Sequence, residues 1–299
     1  MSVRDTPCLT LRAGYGFDLP AAQTAHICKD AFRRLEAGEN RFIMKTILSG
    51  IAAAFSMYSK IPMPYKGIYD KGMKYALCFF PLVGAAVGFF ELLWLSIAYF
   101  LGVNYIIKAA VLCIIPTLVT GGIHMDGFLD TVDALSSHKS KEEKLEILKD
   151  PHTGSFAIIY GCVYYILYFA LWTQLSLKAE IILAVGFILS RALSALAAAI
   201  FKKAKKSGLL YAFADEADRK AVIISSVIYI VLCVCAMLFI NLKTAVFVIA
   251  GALCAFIVYR TVSYRQFGGI TGDLAGYFVC LCELFMAAFA CAGELIWCL

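Results

Sequence analysis

The residues with the clearest chemical potential lie in one short segment, 121–133, which follows a long apolar run and holds three carboxylates and a histidine. Asp126, Asp130 and Asp133 are spaced at i, i+4 and i+7, which places them within roughly 60° of one another around a helix. Because three like charges on one stripe repel, the pattern predicts a bound polyvalent cation. All-oxygen ligands favour Mg²⁺, Mn²⁺ or Ca²⁺ over zinc.

The alternative for this segment is a solvated helix end, where a membrane span leaves the bilayer. We favour a site for a metal and a diphosphate, because Gly121, Gly122 and Gly127 let the backbone approach a ligand closely. An aspartate within the bilayer also costs roughly 2.5–3.5 kcal/mol and is usually functional. His124 is either a catalytic group or a residue that only forms a hydrogen bond at the membrane interface.

Two further polar segments lie beside apolar runs. The segment 149–155 precedes a predicted helix, whose N-terminus favours a phosphate; the alternative is a turn capped by Thr153 or Ser155. The segment 268–273 is a glycine-rich turn that exposes backbone N–H groups to an anion, or an ordinary tight turn. The candidates that these two segments add are Lys149, Asp150, His152, Gly154, Gly268, Gly269, Thr271 and Asp273.

Arg191 lies about halfway along an apolar run, too far from either end for its guanidinium to reach water easily. We therefore predict that it pairs with a buried carboxylate or binds the substrate phosphate. The lysine-rich run 202–206 is interpreted as an anchor that fixes the membrane orientation, with substrate binding as the alternative.

The elements that position these residues are membrane helices. The chain has 299 residues, 62% hydrophobic and only 16% charged, against about 25% charged in globular domains. The prediction is an all-α, polytopic integral membrane bundle with about seven spans of a length that suits roughly 30 Å of hydrocarbon. The spans are 77–101, 105–121, 156–175, 179–201, 221–241, 243–259 and 275–299, and a shorter apolar stretch, 47–58, is predicted to lie at the interface or to re-enter.

Lysine and arginine alternate between the loops, which predicts a cytoplasmic N-terminus and all three polar segments on the cytoplasmic face. The composition changes near Met44, so we divide the chain into an extension, 1–43, and a membrane-embedded domain, 44–299. The extension is predicted to be dispensable, and the alternative is a short regulatory helix. Between the spans, Ser140 is predicted to cap a short helix. The twelve cysteines are mostly placed within spans and lack metal-ligand spacing.

These residues resemble the cobalamin synthase family, whose members are adenosylcobinamide-GDP ribazoletransferases. The family run Gly-Gly-x-His-x-Asp-Gly-x-x-Asp-Thr-x-Asp is met at 121–133, Lys/Arg-Asp-x-x-x-Gly at 149–154, and Gly-Gly-x-Thr-Gly-Asp at 268–273. An early Pro-x-Pro is met by Pro62 and Pro64, so the resemblance covers 44–299. The chain departs from the common pattern at Ala134, often glycine, and at His152, often arginine.

The resemblance implies a Mg²⁺-dependent reaction. The 3′-hydroxyl of α-ribazole, or of its 5′-phosphate, attacks the cobinamide-side phosphorus of adenosylcobinamide-GDP, and GMP leaves. The expected metal ligands are Asp126, Asp130, Asp133 and Asp150. The expected catalytic residues are His124, Asp130, Asp133 and Lys149. The expected substrate-binding residues are Gly121, Gly122, His152, Gly154, Arg191, Gly268, Gly269, Thr271 and Asp273.

Three alternatives remain open at this point. Other membrane enzymes, the CDP-alcohol phosphotransferases and the aromatic prenyltransferases, also join aspartate-rich helices to Mg²⁺ and a diphosphate, but a second aspartate-rich motif of their type is lacking. A divalent-cation transporter would place carboxylates deep in several spans, whereas here the acids cluster at one face.

The implied partners are the two substrates and the lipid bilayer, not nucleic acid, with a homo-oligomer or an association with other cobalamin-assembly enzymes left open.

Overall fold

The computed structural model describes residues 44–63, 72–204 and 217–298, and this part of the chain is helical apart from short connections and one isolated bridge. The predicted extension, 1–43, lies outside the described residues. The ten helices in the described ranges are α1 (44–58), α2 (Ala76–Phe100), α3 (Tyr105–Thr120), α4 (Ile123–Ser136), α5 (Lys141–Ile147), α6 (Ser155–Trp172), α7 (Leu177–Ile200), α8 (Arg219–Ile240), α9 (Leu242–Gln266) and α10 (Gly272–Cys298).

Six of these helices, namely α2, α6, α7, α8, α9 and α10, are long and apolar enough to cross a membrane. The polytopic helical bundle predicted from the sequence is therefore confirmed, but the seventh span differs from a straight helix. α3 has 16 residues, about 24 Å at 1.5 Å per residue, and the chain then bends by 96° into α4. The count is seven only if this bent pair is one span.

The bend between α3 and α4 is made by two adjacent glycines. Gly121 has φ of 65° and Gly122 has φ of 83°, a left-handed backbone that residues with a Cβ adopt at a cost. The Gly122 N–H donates to the Thr117 carbonyl oxygen at 2.9 Å and closes the end of α3. The first residues of the aspartate-rich segment thus turn α4 away from the direction of α3.

α7 and α10 form the centre of the bundle. α7 packs against α2, α8, α9 and α10, and α10 also packs against α4 and α9. The short helix α5 has the capping box that Ser140 predicts, since the Ser140 hydroxyl accepts from the Glu143 N–H and the Glu143 carboxylate accepts from the Ser140 N–H. Nine cysteines of the described ranges, from Cys78 to Cys291, are free thiols.

The connectivity gives a testable topology. If each long helix crosses the bilayer once, the loops that follow α3, α7 and α9 lie on one side, which the lysine and arginine distribution predicts to be the cytoplasm. Cysteines introduced singly at the exposed positions Lys139 and Arg265, in a protein lacking its native cysteines, should react with an impermeant maleimide only from the cytoplasmic side. A cysteine at Lys178 should react from the outside. Labelling of Lys139 and Arg265 positions from opposite sides would contradict this arrangement.

Candidate active site

The polar segments 121–133 and 268–273 meet where the start of α10 crosses α4. A Cβ added to Gly127 would lie 2.6 Å from the Asp273 carbonyl oxygen, and one added to Gly276 would lie 3.0 Å from the His124 carbonyl oxygen. Only glycine permits this approach, because a side chain at either position would separate the two backbones. The aspartate-rich segment and the glycine-rich turn, distant in sequence, therefore form one surface.

The segment 149–155 joins the same surface through Gly154. A Cβ on Gly154 would overlap the carboxylate oxygens of Asp133, so the backbone before α6 lies directly against the stripe of aspartates. Gly154 is also the N-cap residue of α6 and provides no side-chain hydrogen bond. The prediction that Thr153 or Ser155 caps this helix is wrong, and the Asp133 carboxylate occupies the space beside the cap.

The Gly154 contact predicts a selective loss of activity. Gly154→Ala should lower kcat by on the order of 100-fold, because displacement of a catalytic group by about 1 Å has effects of this size. Helix content and thermal unfolding should stay unchanged. Gly102→Ala is the control, since nothing lies within 4 Å of its added Cβ, and its φ of 62° makes the backbone strain of that substitution larger than at Gly154, where φ is −76°. Equal turnover by the two variants would show that the Asp133 position does not matter.

Four carboxylates converge on this surface. Asp126 is exposed, while Asp130 and Asp133 are half-buried on the same side of α4. Partial burial, followed by the charges of Asp126, Asp273 and Asp133, raises the pKa of Asp130 to about 6. Asp273, which was predicted from the sequence to bind the substrate, thus belongs to the carboxylate cluster.

The four carboxylates lie close enough to repel, but they do not lie as close together as the ligands of a bound ion. In the described ranges, no three His, Cys, Asp or Glu side chains have the closeness needed to hold a metal. The donor chemistry nevertheless fits a hard divalent cation, because every group is a carboxylate, and the charges of Asp126, Asp273 and Asp133 add to burial in raising the pKa of Asp130.

His124 is placed away from the aspartates. It is buried at 7% exposure, and its ring lies 5.6 Å from Phe80 and 6.3 Å from Tyr58, measured between ring centroids. Its Nε2 has no hydrogen-bond partner among the described residues, and His124 lines a small cavity together with Arg191 and Glu283. The structure does not bring His124 together with the carboxylate cluster, and its catalytic role stays a prediction.

Lys149, Asp150 and His152 lie in the exposed turn before α6. The Lys149 amine pairs with Glu146 at 2.6 Å, and His152 Nδ1 lies 2.7 Å from an Asp150 carboxylate oxygen. Hydrogen bonds from the His152 backbone and ring lower the pKa of Asp150. These side chains contact their own segment, so their predicted roles in metal and phosphate binding depend on their exposure to an arriving substrate.

The turn 268–273 is held by hydrogen bonds to a neighbouring loop. The Ile270 N–H donates to the Lys202 carbonyl oxygen at 2.9 Å, and the Ala204 N–H donates to the Ile270 carbonyl oxygen at 3.0 Å. Thr271 Oγ1 accepts from the Leu274 N–H at 3.2 Å and so caps α10. The start of the lysine-rich run, interpreted from sequence mainly as an anchor, therefore borders the site.

Arg191 is paired with a carboxylate inside the bundle. It is 1% exposed and donates to Glu283 on α10, and it also donates to the Ser190 hydroxyl at 3.0 Å. Of the two predicted partners, the structure shows the carboxylate; binding of a substrate phosphate by Arg191 stays a prediction. Glu283 was missed because the sequence gives no sign of which helices face each other.

Comparison with known proteins identifies the family. The family described as cobalamin-5-phosphate synthase matches residues 50–291, which include all three polar segments. The chain belongs to the cobalamin-5-phosphate synthase family. This match covers the residues that form the carboxylate cluster and the turn at the start of α10, and it leaves the predicted extension outside.

Named relatives match most of the chain. A protein of Lachnoclostridium phytofermentans named adenosylcobinamide-GDP ribazoletransferase is 50% identical over 237 residues, covering 79% of this chain and 91% of the relative. A protein of Clostridium botulinum strain Alaska E43 with the same name is 31% identical, covering 83% and 99%. One of Treponema denticola is 31% identical, covering 79% and 95%. No solved structure matches the chain.

Proposed function

We propose that this protein is an adenosylcobinamide-GDP ribazoletransferase that performs the last step of cobalamin assembly. A bond forms between the 3′-oxygen of α-ribazole, or of its 5′-phosphate, and the cobinamide-side phosphorus. The bond from that phosphorus to the bridging oxygen breaks, GMP leaves and the hydroxyl proton passes to a base. The observation that carries the proposal is the convergence of the three polar segments on one surface of a family member.

We assign Mg²⁺ binding to Asp126, Asp130 and Asp133, together with Asp273 from the start of α10. Asp150 remains a candidate, because its exposed turn leads into Gly154 beside Asp133. When bound, Mg²⁺ would neutralise charge on the diphosphate and on the leaving GMP. Phosphoryl transfer depends mainly on such positioning and charge neutralisation.

Protein groups would bind the leaving phosphate and accept the hydroxyl proton. The start of α10, with the glycine-rich turn before it, suits the departing phosphate, because a helix N-terminus favours an anion. Lys149 is exposed and its pair with Glu146 is a surface pair, which is weak enough to exchange for a phosphate. An aspartate of the cluster that does not bind Mg²⁺ would accept the hydroxyl proton.

We further propose that this surface faces the cytoplasm, where soluble precursors reach it. The alternation of lysine and arginine between loops supports this orientation. The turn after α9 bonds to the loop after α7 and leads into the start of α10, which packs against α4, so a single aqueous face would serve these segments.

Release of GMP from adenosylcobinamide-GDP by the purified protein in lipid nanodiscs tests the proposal. GMP should appear only when both α-ribazole (or its 5′-phosphate) and Mg²⁺ are present, in equal amount to the cobamide formed. Omission of α-ribazole, and replacement of adenosylcobinamide-GDP by a CDP-alcohol, are the controls. Absence of GMP from folded protein, or release of CMP instead, would overturn the assignment.

The raised pKa of Asp130 predicts how Mg²⁺ use depends on pH. Below about pH 6 this carboxyl is protonated and protons compete with the cation, so the half-saturating Mg²⁺ concentration should rise by about tenfold per pH unit. Above that range it should level off. Mg²⁺ titrations of GMP release at pH values above and below 6 would measure the half-saturating concentration. A value independent of pH would exclude Asp130 as a Mg²⁺ ligand.

A further inference from the structure

An apolar groove of about 580 Å³ runs along the outside of the bundle between α2 and α3. Its walls are large hydrophobic side chains, including Phe90, Leu93 and Leu118, which are 39%, 43% and 65% exposed. On α3 it extends from Val111 to Val119, about 12 Å, or most of one leaflet of a roughly 30 Å hydrocarbon core.

The groove has one cationic end. Lys60 lines it, and the Lys60 N–H donates to the Val119 carbonyl oxygen at 2.9 Å, which fixes the lysine at the end of α3. The side-chain stem packs over Gly121, where a Cβ would overlap Lys60 Cγ. The amine is exposed, and within the described ranges no acceptor binds it.

The opposite part of the groove is built around Trp94. Its indole Nε1 donates to the Lys108 carbonyl oxygen at 3.1 Å, so the ring is held in place and presents its apolar surface to the groove. A helix surface that is exposed and apolar along a membrane span is in contact with lipid chains. An acyl chain is therefore the occupant that the walls fit.

We propose that this groove binds a single anionic phospholipid, with an acyl chain along Trp94 and the phosphate on the Lys60 amine. A basic residue near the membrane surface attracts anionic lipid, and here the aliphatic stem of Lys60 packs over Gly121. The lipid phosphate lies next to the glycine bend that directs α4.

Quenching of tryptophan fluorescence by lipids with brominated acyl chains tests the site directly. The protein is placed in phosphatidylcholine nanodiscs that contain either brominated phosphatidylglycerol or brominated phosphatidylcholine. The quenching that Trp94→Phe removes is assigned to Trp94, which separates it from the two other tryptophans of the chain. The brominated phosphatidylglycerol should quench Trp94 at a several-fold lower mole fraction than the brominated phosphatidylcholine.

Lys60→Gln should abolish this preference, while Lys178→Gln, an exposed lysine at the start of α7, should leave it intact. Equal quenching by the two lipids in the unmodified protein would overturn the proposal, as would a preference that survives Lys60→Gln. Absence of quenching by either lipid would also overturn it, because another protein surface, such as a second copy of the chain, would then cover the groove. None of these measurements depends on the proposed enzymatic activity.

Discussion

Asp130→Asn and Asp133→Asn are each expected to lower kcat for GMP release by on the order of 1000-fold while the protein inserts and folds normally. An amide keeps the size of the side chain but removes one negative ligand from the carboxylate cluster, and with it part of the charge neutralisation in the transition state. Asp133 has a second role, since its carboxylate lies against Gly154. Single-turnover GMP release at saturating Mg²⁺ would measure both effects.

Glu142→Gln is the matched control for the aspartate variants. Glu142 is an exposed carboxylate on α5, in the same loop between α4 and α6, and the same change from carboxylate to amide should leave kcat unaltered. Elution as a monodisperse species with unchanged helix content would establish that the variants fold. Turnover at the level of the unmodified protein by either aspartate variant would exclude that residue from the metal site.

Glu283→Ala is expected to destabilise the protein strongly, by about 3–5 kcal/mol, because it leaves the Arg191 guanidinium buried without its carboxylate. Arg191→Met combined with Glu283→Leu should regain most of that stability, since apolar residues of similar size replace both charges. Thermal unfolding of each variant in the same detergent would measure the difference.

The double variant also separates the two roles considered for Arg191. If Arg191 serves only to join α7 to α10, the double variant should fold and release GMP at close to the normal rate. If Arg191 binds the substrate phosphate, the double variant should fold but show a raised KM for adenosylcobinamide-GDP or a lowered kcat. A double variant as unstable as Glu283→Ala would contradict the ion pair as the source of the destabilisation.

The sequence alone determined the class of the protein and the identity of its polar segments. Hydrophobic runs predict membrane helices because a bilayer demands about 20 apolar residues for each span. The aspartate stripe was also readable, since spacings of three and four residues lie on one face of any helix. The Ser140 cap follows from equally local rules, and each of these features depends only on neighbours in the chain.

The tertiary structure decided how the segments combine. No local pattern predicts that Gly127 contacts the Asp273 backbone or that Gly154 contacts the Asp133 carboxylate. The pairing of Glu283 with Arg191 is equally unpredictable, because each contact depends on how separate helices pack. The bend after α3 was not predicted, since hydropathy carries no information on direction, whereas the left-handed backbone of Gly121 and Gly122 turns the chain by 96°. That bend lays the aspartate stripe against the start of α10, and so it creates the site.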